Sequence, residues 1–321
     1  MIRGLALLTL ASCGHVDAHS DAGTDALDLC PMMSCDDNDP CTTDTCVANT
    51  CHHDSAAPTG MQAFAVTNSI VRFTVPACVN TITIDAFGGQ GGSTSLTLRA
   101  GGMAAHVVTT LSLAKTNQIL AVLVGGAGGT GIDDGGGGGG SFVWDIAAPA
   151  MPLVAAGGGG GAGYDSAGVA APSSRSGVNG PTSTGGFGQN GNGATQPVPA
   201  TNWAAGGAGW LTDGAAGGGP AATPCGVSVG GKSPAHGGAG GAGGGAAGYP
   251  GAGGFGGGGG AQGQCNATGG GGGGGYSGGA GGGENPTTVF QGGGGGGSFA
   301  MGTPTITGGV HTGDGAVTIS W

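Results

Sequence analysis

Gly269-Gly270-Gly271-Gly272-Gly273-Gly274-Gly275 is one of five unbroken runs of five or more glycines, with Gly135–Gly140, Gly157–Gly161, Gly256–Gly260 and Gly292–Gly297. Glycine loses more backbone freedom on folding than any other residue. A chain with such runs is either an unstructured tether or a fold whose main chains lie against one another with no side chains between them. Glycine makes up 85 of 321 residues, yet no Gly-X-Y register persists, which excludes a collagen helix. Disordered chains are polar and charged. Here charged residues are 7% and the mean hydropathy is slightly positive, so an ordered bundle is expected.

Working outward, the glycine is bracketed by strand-like segments. Thr81-Ile82-Thr83-Ile84-Asp85-Ala86-Phe87 alternates as a half-buried strand does. Further β-rich runs are 64–66, 70–75, 104–113, 118–124, 141–146 and 151–156, and Gly315 to Trp321 alternates again at the far end. No segment carries a helical period with caps. The expectation is an all-β, antiparallel sandwich whose last strand returns beside the first, across a large glycine-rich insert.

Phe73-Thr74-Val75-Pro76-Ala77, then Ile82, Ile84 and Ala86, then Phe87-Gly88-Gly89-Gln90-Gly91-Gly92, form a signature. Ala121 to Gly126, Gly139-Gly140-Ser141-Phe142, Leu153 to Gly161, Gly296-Gly297-Ser298-Phe299 and the final strand follow in order. The series resembles the glycine-rich domain of anaplastic lymphoma kinase and leukocyte tyrosine kinase receptors and its bacterial relatives, over residues 63–321. The resemblance implies a tumour-necrosis-factor-like jelly roll carrying a bundle of polyglycine II helices. In the receptors this domain binds protein ligands; no ligand-specific residue carries over. The chain departs from the pattern at Cys78, in the turn after Pro76, and at Phe87, where Trp is common.

Met1-Ile2-Arg3, a short apolar core to Leu10, and then Ala11-Ser12-Cys13 resemble a bacterial lipobox. The resemblance implies a signal peptide over 1–12 and lipidation of Cys13 as the membrane partner. Gly14, rather than Asp, implies an outer-membrane or cell-surface location. More than one acyl chain makes such an anchor stable. Residues 13–29 read as a polar tether, and no run of the ~20 apolar residues that a membrane helix needs is present.

The other eight cysteines, Cys30, Cys35, Cys41, Cys46, Cys51, Cys78, Cys225 and Cys265, are an even number, which favours disulfides in an exported chain. Cys35 to Cys46, ending in Cys51-His52-His53, resembles the CTTD-C cysteine-rich repeat, here one unit over 30–54, with 55–62 as linker. Such a short unit cannot bury a core and needs bridges. Cys225 with Cys265 would staple two glycine-rich segments, and Cys78 with Cys30 would tie the domains, though spacing alone leaves connectivity open. In the acidic turn, Asp36, Asn38 and Asp39 offer hard oxygens for calcium; the competing account is a turn capped by its own carboxylates. No other metal or cofactor is expected.

Gly226 to Ser233 satisfies the P-loop pattern, but Pro234-Ala235-His236-Gly237-Gly238 cannot open the helix it requires. Gly275-Tyr276-Ser277-Gly278-Gly279 satisfies the nucleophile-elbow pattern without an α/β frame. His106, His236 and His311 stand isolated in sequence. Net charge is −11, with 17 acidic and 6 basic residues, which argues against nucleic acid. The aromatic residues that punctuate the insert, Tyr164, Phe187, Trp203, Trp210, Tyr249, Phe255 and Tyr276, are read as plugs of the bundle, the alternative being an exposed contact set. The function expected is a non-enzymatic surface module for binding or adhesion, with a protein or polysaccharide ligand. The alternative is a structural envelope or matrix protein with no specific ligand.

Overall fold

The computed structural model describes residues 30, 34–114, 117–181, 186–196, 202–218, 226–263, 269–285 and 289–321. The signal, the tether, Cys13, Cys225 and Cys265 lie outside them. The chain separates into two units, 1–55 and 56–321.

The first unit is a hairpin of β1 (Thr42–Val47) and β2 (Thr50–Ser55). The two residues between them, Ala48 and Asn49, have φ of 51° and 64°. Paired positive φ is the two-residue turn that matches strand twist. Cys30 bonds to Cys46 and Cys35 to Cys51. Cys30 therefore pairs with Cys46 on β1, 5.5 Å away between Cα atoms, and not with Cys78 as expected. Cys41 and Cys78 are disulfide-bonded as well. Ser55 belongs to β2, so the stretch expected as linker starts inside a strand.

The second unit is all-β and antiparallel in its two large sheets. Its strands are β3 (Met61–Phe64), β4 (Val71–Thr74), β5 (Thr81–Phe87), β6 (Ala104–Ser112), β7 (Ile119–Leu123), β8 (Ser141–Asp145) and β9 (Val154–Ala156). Four two-residue strands sit inside the insert: β10 (Gly244–Gly245), β11 (Gln262–Gly263), β12 (Glu284–Asn285) and β13 (Val289–Phe290). The chain closes with β14 (Phe299–Ala300), β15 (Thr305–His311) and β16 (Ala316–Ser320). One sheet has the order β15-β6-β5-β16-β3, the other β14-β9-β8-β7-β4. As expected, the last strand lies between early ones: Val317 faces both Phe64 and Ala86.

The sheets meet over Ile82, Ile84, Val107, Leu120, Val122, Val143, Val154, Val317 and Ile319, all buried. Each such side chain contributes about 1.5–3 kcal/mol by leaving water. In β5 inward residues are buried and outward ones half-exposed. β7 and β8 are buried on nearly every residue, because a second cluster covers their far side. There Leu123, Phe142, Trp144 and Phe299 from the sheet pack against Trp210 and Tyr276 from the insert.

The glycine runs are direct extensions of the strands. β5 runs into 88–92, β9 into 157–161, 135–140 into β8 and 292–297 into β14. Their main chains pair laterally in steps of three. Gly136 and Gly139 donate to Gly129 and Gly126, Gly135 and Gly138 to Ala162 and Gly159, and Gly137 and Gly140 to Gly259 and Gly256. The carbonyls of 135–139 accept from Gly92 and Gly89, from Gly254, and from Gly271 and Gly274, and Gly251 donates to the carbonyl of Asp134 just before them. One extended segment thus has six neighbours. Run 269–275 is embedded in the same way, donating to 291–294, 135–138 and 205–208 and accepting from 158–161, 259–262 and 279–282. Buried amides and carbonyls must be paired, and here every neighbour is another main chain. A Cβ on Gly137 would fall on the Gly272 carbonyl, and one on Gly139 on that of Phe255. That spacing is why the runs are glycine.

Two serines fasten this array to the sandwich. In the paired Gly-Gly-Ser-Phe sequences, the Ser141 hydroxyl accepts from Gly125 N–H at 2.9 Å and the Ser298 hydroxyl from Gly157 N–H at 3.0 Å. Ser141 also donates to the Phe87 carbonyl. At the turn after Pro76, Cys78 has φ of 67°, the left-handed region in which glycine is unstrained.

Candidate functional site

The acidic turn of the first unit is built as a ladder of side-chain caps. Asp36 accepts from Asn38 N–H, Asp37 from Asp39 N–H and Asp39 from Cys41 N–H, at 2.8, 2.8 and 2.9 Å. Asp36 and Asp39, expected as calcium ligands with Asn38, each commit an oxygen to the main chain. Among the described residues, the group of metal-ligating atoms that converges is Asp37, Asp44 and His53. His53 Nδ1 lies 2.8 Å from Asp44 Oδ1 and 3.3 Å from Asp37 Oδ2. The hydrogen bond between His53 and Asp44 raises the imidazole pKa and lowers that of the carboxyl. Sequence reasoning looked for ligands within one turn and missed a set assembled across strands.

In the second unit the P-loop-like segment is occupied by the chain itself. Lys232 Nζ donates to Asp213 Oδ2 at 3.0 Å, and Ser233 N–H donates to Asp213 Oδ1 at 2.9 Å. His236 Nδ1 is 2.8 Å from the same Oδ1. A carboxylate thus sits where a phosphate would, and only a single 3-10 turn, Pro234–His236, follows. Burial pushes the Asp213 pKa up, but the Ser233 amide, His236 and Lys232 outweigh it and hold the carboxyl well below its usual range. Ser277, of the elbow-like sequence, is fully buried, and its hydroxyl accepts from Gly191 N–H at 3.1 Å.

The histidines are less isolated than their spacing suggests. His106 on β6 reaches Asp85 on β5 at 2.9 Å and stacks on Phe87 at 4.0 Å between centroids. His311 on β15 tilts against the same ring at 4.6 Å. Asp85, Phe87, His106 and His311 form a half-exposed patch that only strand pairing could assemble. The insert's rings divide. Trp210 and Tyr276 are sealed against the sheet, while Tyr164 stays exposed. Trp144, Pro149, Trp210, Leu211, Pro234 and Ala235 line a cavity of about 170 Å³. That is below the roughly 300–1,000 Å³ of common ligand pockets.

Asp134 is the most deeply buried acid described. Its Oδ1 accepts from Tyr164 N–H at 3.1 Å and its Oδ2 has no partner. Burial, and then Asp133, push its pKa well above the usual carboxyl value; the Tyr164 amide opposes this and Asp165 adds to it.

No protein-family model matches the chain, and none of the curated proteins matches it. No helix among the described residues is long and apolar enough to cross a membrane.

Proposed function

We propose that this is a non-enzymatic, lipid-anchored bacterial surface protein, displayed at the outer membrane or cell surface, that presents a rigid glycine-rich module for binding or adhesion to a protein or polysaccharide. In this reading Cys13 carries the acyl chains, residues 13–29 are the tether, and the disulfide-bonded hairpin lies between tether and module in the chain. The insert is read as a bundle of polyglycine II helices, and the sandwich as a tumour-necrosis-factor-like jelly roll.

The observation that carries the reading is the six-neighbour embedding of runs 135–140 and 269–275. A three-residue helix without internal hydrogen bonds has to pair laterally at period three. A body made this way is stiff because its donors and acceptors are used internally, and it offers its loops and rings as the variable surface. The commitment of Lys232 to Asp213 and the burial of Ser277 support a role without phosphoryl or acyl transfer.

Two measurements test this. Purified protein should bind intact cells or an isolated surface polysaccharide saturably; linear, non-saturable uptake would instead favour a structural envelope or matrix protein. Radiolabelled palmitate should label the chain in a bacterial host but not Cys13→Ala, and equal labelling of both would refute the anchor.

A further inference from the structure

Two strands and two disulfides bring together three ligating atoms that lie seven and nine residues apart in sequence. We propose that Asp37, Asp44 and His53 bind one divalent transition-metal ion, zinc being the best fit. This site is independent of the surface-display reading above.

Asp44 and His53 are directly opposite in the β1–β2 register, and Cys46 and Cys51 are the next opposed pair on the same face. Asp37 approaches from the preceding loop. The three ligating atoms all lie within 4.8 Å of one another. The oxygens not aimed at that point are already held. Asp44 Oδ2 accepts from Asp37 N–H at 3.1 Å, and Asp37 Oδ1 accepts from Asp39 N–H at 2.8 Å and Thr42 Oγ1 at 3.0 Å. Hydrogen bonds of this kind orient ligating carboxylates.

The frame supplies rigidity. Each ligand lies two residues from a bridged cysteine: Asp37 from Cys35, Asp44 from Cys46, His53 from Cys51. A set fixed this way loses little freedom when an ion enters. Charge points the same way. Residues 30–55 hold five carboxylates, Asp36, Asp37, Asp39, Asp44 and Asp54, and no Lys or Arg.

The mixed set of one imidazole nitrogen and two carboxylate oxygens selects zinc or a neighbouring transition metal over calcium, which takes oxygen alone. Bonds of about 2.0–2.2 Å place tetrahedral ligands about 3.3–3.6 Å apart. The observed 2.8 and 3.3 Å need only a small opening. The ion takes the place of the His53 Nδ1 proton, which leaves to solvent, and the half-exposed setting leaves the fourth position to water.

Titrating the purified full chain with Zn²⁺ against a chromophoric chelator tests the proposal. One equivalent should be lost, or weakened at least about tenfold, in both His53→Ala and Asp44→Asn. His52→Ala, on the other face of β2, should leave it intact. Co²⁺ at the same site should give visible absorption of a tetrahedral centre that disappears in His53→Ala. Mass spectrometry without reductant checks that Cys30–Cys46 and Cys35–Cys51 form in each variant. Asp37→Asn replaces Asp44→Asn if the latter fails to bridge. Unchanged Zn²⁺ stoichiometry in bridged His53→Ala, or Ca²⁺ binding at these residues with no Zn²⁺ binding, would overturn it.

Discussion

Sandwich and glycine array are parts of one unit and are equally closed to water, but they keep their main chains in place by opposite means. Between the sheets, side chains such as Ile84, Val107 and Val143 hold the backbones apart, and shape can be redistributed among them. Between runs 135–140, 157–161, 256–260 and 269–275 nothing separates the backbones but hydrogen bonds. The sandwich should therefore tolerate changes of side-chain size, whereas the array should reject the first carbon added.

The sharpest test of that contrast is Gly139→Ala. Its Cβ would land on the Phe255 carbonyl, and six neighbours leave the segment nowhere to move. We expect a loss of more than about 4 kcal/mol, or no cooperative unfolding transition at all, read by denaturant titration. Ile84→Ala, in the sandwich, should cost about 2–5 kcal/mol, and Ile84→Val only about 0.5–1.5. If Gly139→Ala costs no more than Ile84→Val, the contrast is wrong. Hydrogen exchange sharpens it from another side. The amides of Gly137 and Gly271 should exchange as slowly as that of Val107, and fast exchange at the glycines alone would mean that their pairing opens independently of the sandwich.

Two aspartates give opposite pH signatures. Asp134 has a folded pKa raised above its ordinary 3.8. Its contribution is fully present below pH 3.8 and is lost as pH rises through the folded value. Asp134→Asn should flatten that decline and raise stability at neutral pH. Asp213 has a lowered folded pKa, so its contribution is present above pH 3.8 and fades as pH falls through the folded value. Asp213→Asn should lower stability above pH 3.8, where the charged carboxylate contributes, and flatten the decline on the acid side. Thermal melts across pH 2–9 separate the two.

Of the two glycine substitutions, the smaller effect belongs to Gly313→Ala. This exposed glycine has φ of 78° and open space where a Cβ would stand, so only the left-handed backbone is strained. About 1–2 kcal/mol is expected in the same titration. A cost matching that of Gly139→Ala would show that backbone strain, not close packing, explains the glycine content.

Sandwich strands with alternating Val, Ile and Phe were readable from sequence because burial imposes period two on them. β15 was not, because Gly308 and Gly309 interrupt it and its pairing with β6 shifts register between Thr307 and His311. β1 and β2 were also hidden, since Thr42-Thr43-Asp44-Thr45 has no apolar face and its order comes from disulfides. The candidate metal ligands divide in the same way. The sequence pointed to the acidic turn, but Asp36 and Asp39 cap amides there, and Asp37 joins Asp44 and His53 only across the hairpin.

Composition and alternation by themselves determined an all-β chain in which glycine replaces side chains over long stretches, because both are local consequences of what each residue can bury. Tertiary structure alone decided which run lies beside which, where Cys30 finds its partner, and that Trp210 and Tyr276 cover a sheet. Those outcomes depend on hydrogen bonds and contacts between residues far apart in the chain, and identical glycines carry no information about their neighbours.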